Sequence, residues 1–205
     1  ITVANRLLSV MDRIIHARLA AFAERLGLFG DEQYGWRKER STEQAVTALV
    51  LLVEARAMSG RTPSERRTYC AFLDVASAFD SVCREDLVVK LYNEGIRGKV
   101  LAYLRASPLL RYTRSVRCSG APINGNAWSD TRGVSQGTVG APFCFSMIAA
   151  SLVTALRINA LGCGVRLRDG SVTYSIHFAD DVVCMSETAA GLQQLQVARH
   201  EGRPL

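Results

Sequence analysis

The sequence predicts an α+β fold that combines helices with an antiparallel hairpin, and three observations predict it. Residues 5–26 repeat apolar side chains at steps of three and four, the spacing of an amphipathic helix. Residues 69–75, YCAFLDV, form an apolar run of the length expected for a buried strand. Residues 172–178 and 182–186 are short apolar segments joined by Ala179–Asp181, which predicts a tight hairpin.

Helices account for most of the other predicted elements. The sequence STEQ is a capping box, so a second helix starts near Ser41, with Gln44 reaching back to the cap, and ends near Met58. The polar residues 59–68 contain Pro and Gly and predict a loop. Further helices are predicted over residues 84–94 with an end at Gly95, over 97–106 before Pro108, over 141–157, and from Ala189 onward.

Two further stretches need separate interpretation. Residues 111–132 alternate loosely and contain Gly120, Pro122 and Gly125, which predicts strand, turn, strand. The longest apolar run, Ala141–Leu156, is shorter than the roughly 20 residues that a membrane span needs. We interpret it as a core helix and expect no membrane partner.

The charge pattern favours an acidic partner without identifying one. The formal net charge is +6, and residues 97–117 contain six basic side chains and no acidic ones, with Tyr103 and Tyr112 among them. Such a stretch is as well explained by a solvated basic face as by phosphate binding with aromatic stacking.

The cysteines argue against a zinc site or a disulfide framework. The smallest spacing between two of the six is 13 residues, from Cys70 to Cys83, so no C-x-x-C pair exists. Several lie in apolar runs, which predicts buried free thiols in a reducing compartment. No secretory signal is visible, and the chain is expected not to be secreted.

Carboxylates on apolar strands are the most informative feature of the sequence. Asp74 lies near the end of the first predicted strand, and Asp180 and Asp181 form the tip of the predicted hairpin. Each signal alone is weak, because Asp is common at turns. A charge on a buried strand is unfavourable unless it is paired or bound to a metal, and two adjacent Asp repel each other without a cation. Oxygen ligands without His or Cys suit Mg²⁺ or Mn²⁺, and paired ions are the usual device for phosphoryl transfer.

Four strings resemble the motifs of reverse transcriptases, in the family's order. AFLDVASAFDSV, residues 71–82, resembles polymerase motif A, and FADD, residues 178–181, resembles motif C. GVSQGTVGAPFCF, residues 133–145, is similar to motif B, and QYGWRKERST, residues 33–42, is similar to the fingers signature. The pattern is most similar to the non-LTR retrotransposon branch. The aromatic Phe79 and the Ala179 before the acidic pair favour reverse transcriptases over viral RNA polymerases.

The resemblance implies the right-hand polymerase fold, with an antiparallel palm sheet backed by helices and largely helical fingers. Residues 1–68 would be the fingers-like part and 69–205 the palm-like catalytic part, and residues 111–132 are left open between the two. The resemblance places the primer grip and thumb beyond these residues, so the thumb is expected to be absent from this chain.

The resemblance also implies roles for individual residues. Phe79 would be the steric gate against a 2′-hydroxyl. Taken alone, Phe79 is better explained as a core aromatic, but its AFD context favours the gate. Glu39 departs from the family pattern, where Gly is common, and would be strained if the position needs a positive φ. The catalytic and metal-binding residues would be Asp74 and Asp180 as the main metal ligands and Asp181 as the second motif C acid, with the carbonyl of Val75 as a further metal ligand. The full set also contains Phe79, Gln136 and Gly137 at the nucleotide, and Arg37, Lys38 and Arg40 at the template.

The implied activity is RNA-templated DNA synthesis with Mg²⁺ or Mn²⁺ as cofactor. Its partners would be an RNA template, a DNA primer and deoxynucleoside triphosphates, in an intracellular, nuclear location. The alternative is a non-catalytic remnant of such an enzyme that only binds RNA, which Glu39 favours and the intact acids oppose.

Overall fold

The structure is a computed structural model that describes residues 6–74, 77–107, 109–110, 113–114, 117–118, 121–122, 128–129, 132–135 and 137–201. Two predicted site positions, Val75 and Gln136, lie outside these residues. The helices are α1 (Arg6–Leu26), α2 (Thr42–Ser59), α3 (Ala78–Ser81), α4 (Arg84–Asn93), α5 (Gly98–Ala106), α6 (Ala141–Asn159) and α7 (Ala189–Glu201). The strands are β1 (Tyr69–Leu73), β2 (Thr113–Arg114), β3 (Arg117–Cys118), β4 (Ala121–Pro122), β5 (Trp128–Ser129), β6 (Val165–Arg166), β7 (Val172–Thr173), β8 (Ser175–Phe178) and β9 (Asp181–Ser186).

The first helix forms as predicted, but only part of its apolar stripe is buried. Leu19 is buried and Ile15 and Phe22 pack against the core, whereas Leu7, Met11 and Ile14 are exposed. Asp12 and His16 are also buried, and the Tyr103 hydroxyl donates a hydrogen bond of 2.6 Å to Asp12. Hydrophobic periodicity alone could not show that a side chain 91 residues away satisfies an Asp.

The predicted capping box starts the second helix. The Ser41 hydroxyl accepts from the Gln44 amide at 3.3 Å, and the Gln44 side chain accepts from the Ser41 amide at 3.0 Å. The helix lies over one face of the sheet, where Ala45 packs in a cluster with Val165, Ile176 and Met185. The predicted loop over residues 59–68 contains only turns and bends after Ser59.

A three-stranded antiparallel sheet in the order β1-β9-β8 joins the two halves of the sequence. The register pairs Leu73 with Val182 and Tyr69 with Ser186 across the first two strands. The predicted buried strand is only half buried, and Phe72 keeps 73% of its surface exposed. The reason is that the face of the sheet towards α2 opens at this end.

One strand prediction needed correction, and one strand was not predicted. The single strand predicted over residues 172–178 is divided, because Val172–Thr173 pairs with β6 while Ser175–Phe178 pairs with β9. The β6 strand had no counterpart in the sequence prediction. Over residues 111–132 the described pairs are β2 with β5 and β3 with β4, in agreement with the predicted strand, turn, strand.

The apolar helix α6 forms the centre of the core. Twelve of its 19 residues are buried, and Leu152 and Leu156 pack with Val182 and Cys184 from the sheet. By length and composition it could cross a membrane, but 67% of its apolar window is buried inside the protein, as in the core helix of a soluble fold. The five cysteines whose side chains are described form no disulfide bond with one another, although only Cys144 and Cys184 are buried.

Candidate active site

Asp74 and Asp181 lie at the same end of the central sheet, on adjacent antiparallel strands. Leu73 is paired with Val182, and the next residue towards this end is Asp74 on one side and Asp181 on the other. Both carboxylates are exposed and line one cavity of about 370 Å³ between the sheet and α2. The fold thus brings together two acids that are separated by more than a hundred residues in the sequence.

The third predicted acid, Asp180, occupies the turn itself. Phe178 pairs with Asp181, so Ala179 and Asp180 form a two-residue turn, and Asp181 is the first strand residue rather than part of a three-residue tip. Asp180 is half buried and is not among the described residues that line the cavity. Within the described ranges, no three His, Cys, Asp or Glu side chains stand close enough to hold a metal ion.

The turn has an unusual backbone. Ala179 has a φ of 60°, in the left-handed region that disfavours a side chain by roughly 1–2 kcal/mol. A strained alanine of this kind persists only where its surroundings fix it. Here the chain from residue 32 to 35 runs beside β8: the Tyr34 amide donates to the His177 carbonyl, and the His177 amide donates to the Glu32 carbonyl, both at 2.8 Å.

His177 is a fully buried titratable group beneath this turn. Its Nε2 lies 2.7 Å from the Ser175 hydroxyl. Burial lowers the pKa of His177 to about 4, so its ring is neutral at pH 7.

Phe79 belongs to an aromatic cluster with Trp36 and Phe145. Its ring centroid lies 5.7 Å from that of Trp36 and 5.6 Å from that of Phe145, which is completely buried. Trp36 is 46% exposed and has a φ of 56°, so the loop before α2 presents its ring partly to solvent. No role was predicted for Trp36, although an aromatic residue within a basic loop motif was the available signal in the sequence.

The loop after Arg132 is tied to the same region. The Val134 amide donates to the Phe79 carbonyl at 2.8 Å, and the Arg84 guanidinium donates to the Gly133 carbonyl at 2.6 Å. Gly137 has a φ of 94°, a conformation that favours glycine. These bonds hold the loop with Gly137 close to the start of α3.

Arg37 is engaged within the protein. Its guanidinium makes a paired contact with Glu24, with Nε–Oε1 at 2.8 Å and Nη2–Oε2 at 2.6 Å, and it also donates to the carbonyls of Gly30 and Gln33. The Arg37 side chain is 9% exposed. The Glu24 bond and charge raise the pKa of Arg37, and the reciprocal bond lowers the pKa of Glu24. This placement argues against the predicted template contact.

Lys38 and Arg40 make fewer contacts within the protein than Arg37 does. They belong to the same segment, residues 33–42, which we call the fingers segment after the motif it resembles. Lys38 is highly exposed and lies 3.6 Å from Glu39. Arg40 covers the Tyr34 ring at 4.9 Å and lies 3.5 Å from Asp31. Glu39 has a φ of 61°, so the strain expected from the missing glycine is present.

Comparison with known proteins adds a family to this geometry. Residues 1–200 match the family model described as reverse transcriptase (RNA-dependent DNA polymerase). The retrovirus-related Pol polyprotein from type-2 retrotransposable element R2DM of Drosophila melanogaster is 30% identical over 135 residues. The match covers 63% of this chain and 12% of that protein, so the chain spans a small part of its relative's length.

Proposed function

We propose that this chain supplies the catalytic residues for RNA-templated DNA synthesis in a retrotransposon of the non-LTR type. The premise is that the chain belongs to the reverse transcriptase (RNA-dependent DNA polymerase) family. The observation that carries the proposal is the convergence of Asp74 and Asp181 at one end of the sheet, on the wall of an open cavity. Two exposed carboxylates of like charge on paired strands gain from a cation between them.

The donor atoms fit the divalent metal that the family implies. Asp74 and Asp181 offer hard carboxylate oxygens, and Mg²⁺ is usually held by one or two carboxylates, several waters and the phosphates of a substrate. The lack of a three-residue ligand group among the described residues is therefore compatible with a site that substrate completes. When bound, such ions stabilise the attacking primer oxygen and the leaving diphosphate. We assign Asp74 and Asp181 to hold them, with Asp180 as the further acid.

Other residues would position the nucleotide. Phe79 is proposed to lie under the sugar, with its ring held from two sides by Trp36 and Phe145. Gly137 would allow the backbone to approach the base pair closely, and Gln136 is proposed to contact the incoming nucleotide. Lys38 is proposed to contact the template. Its side chain is 88% exposed, more than those of Arg37 and Arg40 in the same segment.

Primer extension on primed RNA tests the proposal, using the longest natural polypeptide that contains this chain. Asp74→Asn and Asp181→Asn are expected to lower the rate of deoxynucleotide addition by roughly 10²–10³-fold or more, the usual effect of removing a group that stabilises transition-state charge. Asp86→Asn is the matched control, because Asp86 is exposed in the first turn of α4. Full activity in the Asp74→Asn, Asp181→Asn double variant would sink the proposal, and an inactive wild type that still binds RNA would favour the remnant.

A further inference from the structure

Gln33 connects the fingers segment directly to the turn between β8 and β9. Its side chain is 1% exposed. Its Oε1 accepts from the Gly35 amide at 2.8 Å and from the Ala179 amide at 3.3 Å. The second bond spans 146 residues of sequence and ends on the strained residue of the turn.

Gly35 also lies directly against the backbone of Ala179 in this turn. A Cβ on Gly35 would stand 2.2 Å from the Ala179 nitrogen and 2.8 Å from its Cα, which is closer than any side chain can approach backbone. Only glycine therefore allows the fingers segment to lie at its observed depth. The requirement is steric, because the backbone of Gly35 is not in the left-handed region.

Arg37 fixes the segment from behind. Its guanidinium donates to the Gln33 carbonyl at 3.1 Å and is itself held by Glu24 of α1. Gln33 is thus anchored to the first helix through its carbonyl and to the turn through its side chain. Flanking hydrogen bonds from Tyr34 and to Glu32 fix the same stretch along β8.

We infer that Gln33, Gly35 and Arg37 form a clamp that sets the position of the turn carrying Asp180 and leading into Asp181. They are positioning residues, which act on the carboxylates through the backbone of Ala179 and do not touch nucleic acid. Ala179 has no side chain that could hydrogen-bond locally to support its left-handed conformation, as Asn or Asp could, so the support comes from Gln33. The effect of the clamp on synthesis rests on the proposed function; its effect on the turn does not.

Hydrogen exchange of the peptide covering residues 177–181 tests the clamp without any activity measurement. Gln33→Leu keeps the buried bulk and removes the acceptor, so the Ala179 amide is expected to exchange at least about tenfold faster, while the amides of β9 keep their protection. Gln44→Leu is the matched control, because it removes a glutamine acceptor from the exposed capping box of α2. It should leave exchange in residues 177–181 unchanged.

A steric variant approaches the same turn independently of Gln33. Gly35→Ala should displace the turn, whereas Gly164→Ala introduces a similar backbone clash, 2.4 Å from the Thr173 carbonyl oxygen, away from the carboxylates. In primer extension, Gly35→Ala and Gln33→Leu are expected to lower kcat by about 10²-fold with little change in KM for the nucleotide, as a misplacement near 1 Å would do. Gly164→Ala should retain kcat per folded molecule.

The outcomes separate the clamp from the proposed function. Unchanged exchange in residues 177–181 of both Gln33→Leu and Gly35→Ala overturns the clamp, and so does wild-type kcat in both variants of an active enzyme. If Gln33→Leu loses protection throughout β9, the two glycine variants decide between the outcomes. Faster exchange of residues 177–181 in Gly35→Ala than in Gly164→Ala supports the clamp, and equal exchange in the two overturns it. If the wild type adds no nucleotide, the proposed function fails, and the exchange data still accept or reject the clamp.

Discussion

The two faces of the central sheet differ in how completely they are covered. Towards α6 and α7, Val182 and Cys184 pack against Leu156 and Leu195, and all four side chains are buried. Towards α2, the cover ends before the strands do, which leaves Phe72, Asp74 and Asp181 exposed on a cavity. The same pair of strands therefore packs into the core on one face and carries the proposed catalytic acids on the other, where apolar packing stops.

Truncation of the covered face should give the largest loss of stability. Leu156 is completely buried, so Leu156→Ala is expected to lower the free energy of unfolding by about 2–5 kcal/mol through lost burial and a residual cavity. Urea unfolding monitored by circular dichroism measures this loss. On the open face, Asp74→Asn should leave the free energy of unfolding unchanged or raise it, because it removes a like charge beside Asp181. A large destabilisation by Asp74→Asn would contradict the distinction between the faces.

Acid should destabilise the protein through His177. Burial lowers the pKa of His177 in the folded protein to about 4. Between roughly pH 6.5 and 4, His177 therefore binds a proton in the unfolded chain but not in the folded one. Stability from this group is complete above pH 6.5 and declines as pH falls, by up to about 3 kcal/mol near pH 4. Unfolding curves across this range, for wild type and for the non-titrating His177→Gln, measure the difference. Equal pH slopes in the two proteins would show that His177 is not the cause.

The aromatic cluster around Phe79 should control sugar selection. Phe79→Ala is expected to raise the use of ribonucleotides relative to deoxynucleotides by about 10–200-fold, the range for steric discrimination of a small group. Trp36→Ala should give a smaller change, since it removes one of the two rings that hold Phe79. Competitive incorporation of the two nucleotide types provides the measurement, and unchanged selectivity in Phe79→Ala would assign that ring to packing alone.

The smallest expected effect concerns the helix that covers the open face. Ser41→Ala removes the cap of α2 and should lower stability by about 1 kcal/mol, since one helix-terminal amide loses its acceptor. Thermal unfolding measures it, with Ser64→Ala in the exposed loop after α2 as a control. An equal effect of the two substitutions would mean that the capping box contributes nothing specific.

Local signals in the sequence predicted most of the elements. The seven helices of the described residues include every predicted one, and the capping box formed from Ser41 and Gln44. Asp74 and Asp181 lie at one sheet end, whereas the sequence ranked Asp180 above Asp181 as a metal ligand, and that assignment stays a prediction. These features depend on neighbours within a few residues or on strand pairing. Helix α3 is only four residues long, too short to leave a periodic pattern.

What the sequence could not predict depends on contacts between distant residues. Arg37 resembles its neighbours Lys38 and Arg40 in sequence, and only the fold shows that Glu24 holds its guanidinium. Gln33 was part of a recognised motif, but its bond to Ala179 leaves no periodic pattern to read. Part of the apolar stripe of α1 is exposed, because periodicity identifies a stripe and not the partner that would cover it.

Cation binding at the open end of the sheet is the most direct test of this account. Mn²⁺ can be titrated by electron paramagnetic resonance into the protein with primed RNA, a primer that ends in a dideoxynucleotide and the next nucleotide. We expect Asp74→Asn and Asp181→Asn each to weaken Mn²⁺ binding at least about tenfold, a loss of about 1.4 kcal/mol, whereas Asp86→Asn should bind as the wild type does. Equal Mn²⁺ affinity in the wild type and both site variants would contradict the claim that Asp74 and Asp181 hold the cation.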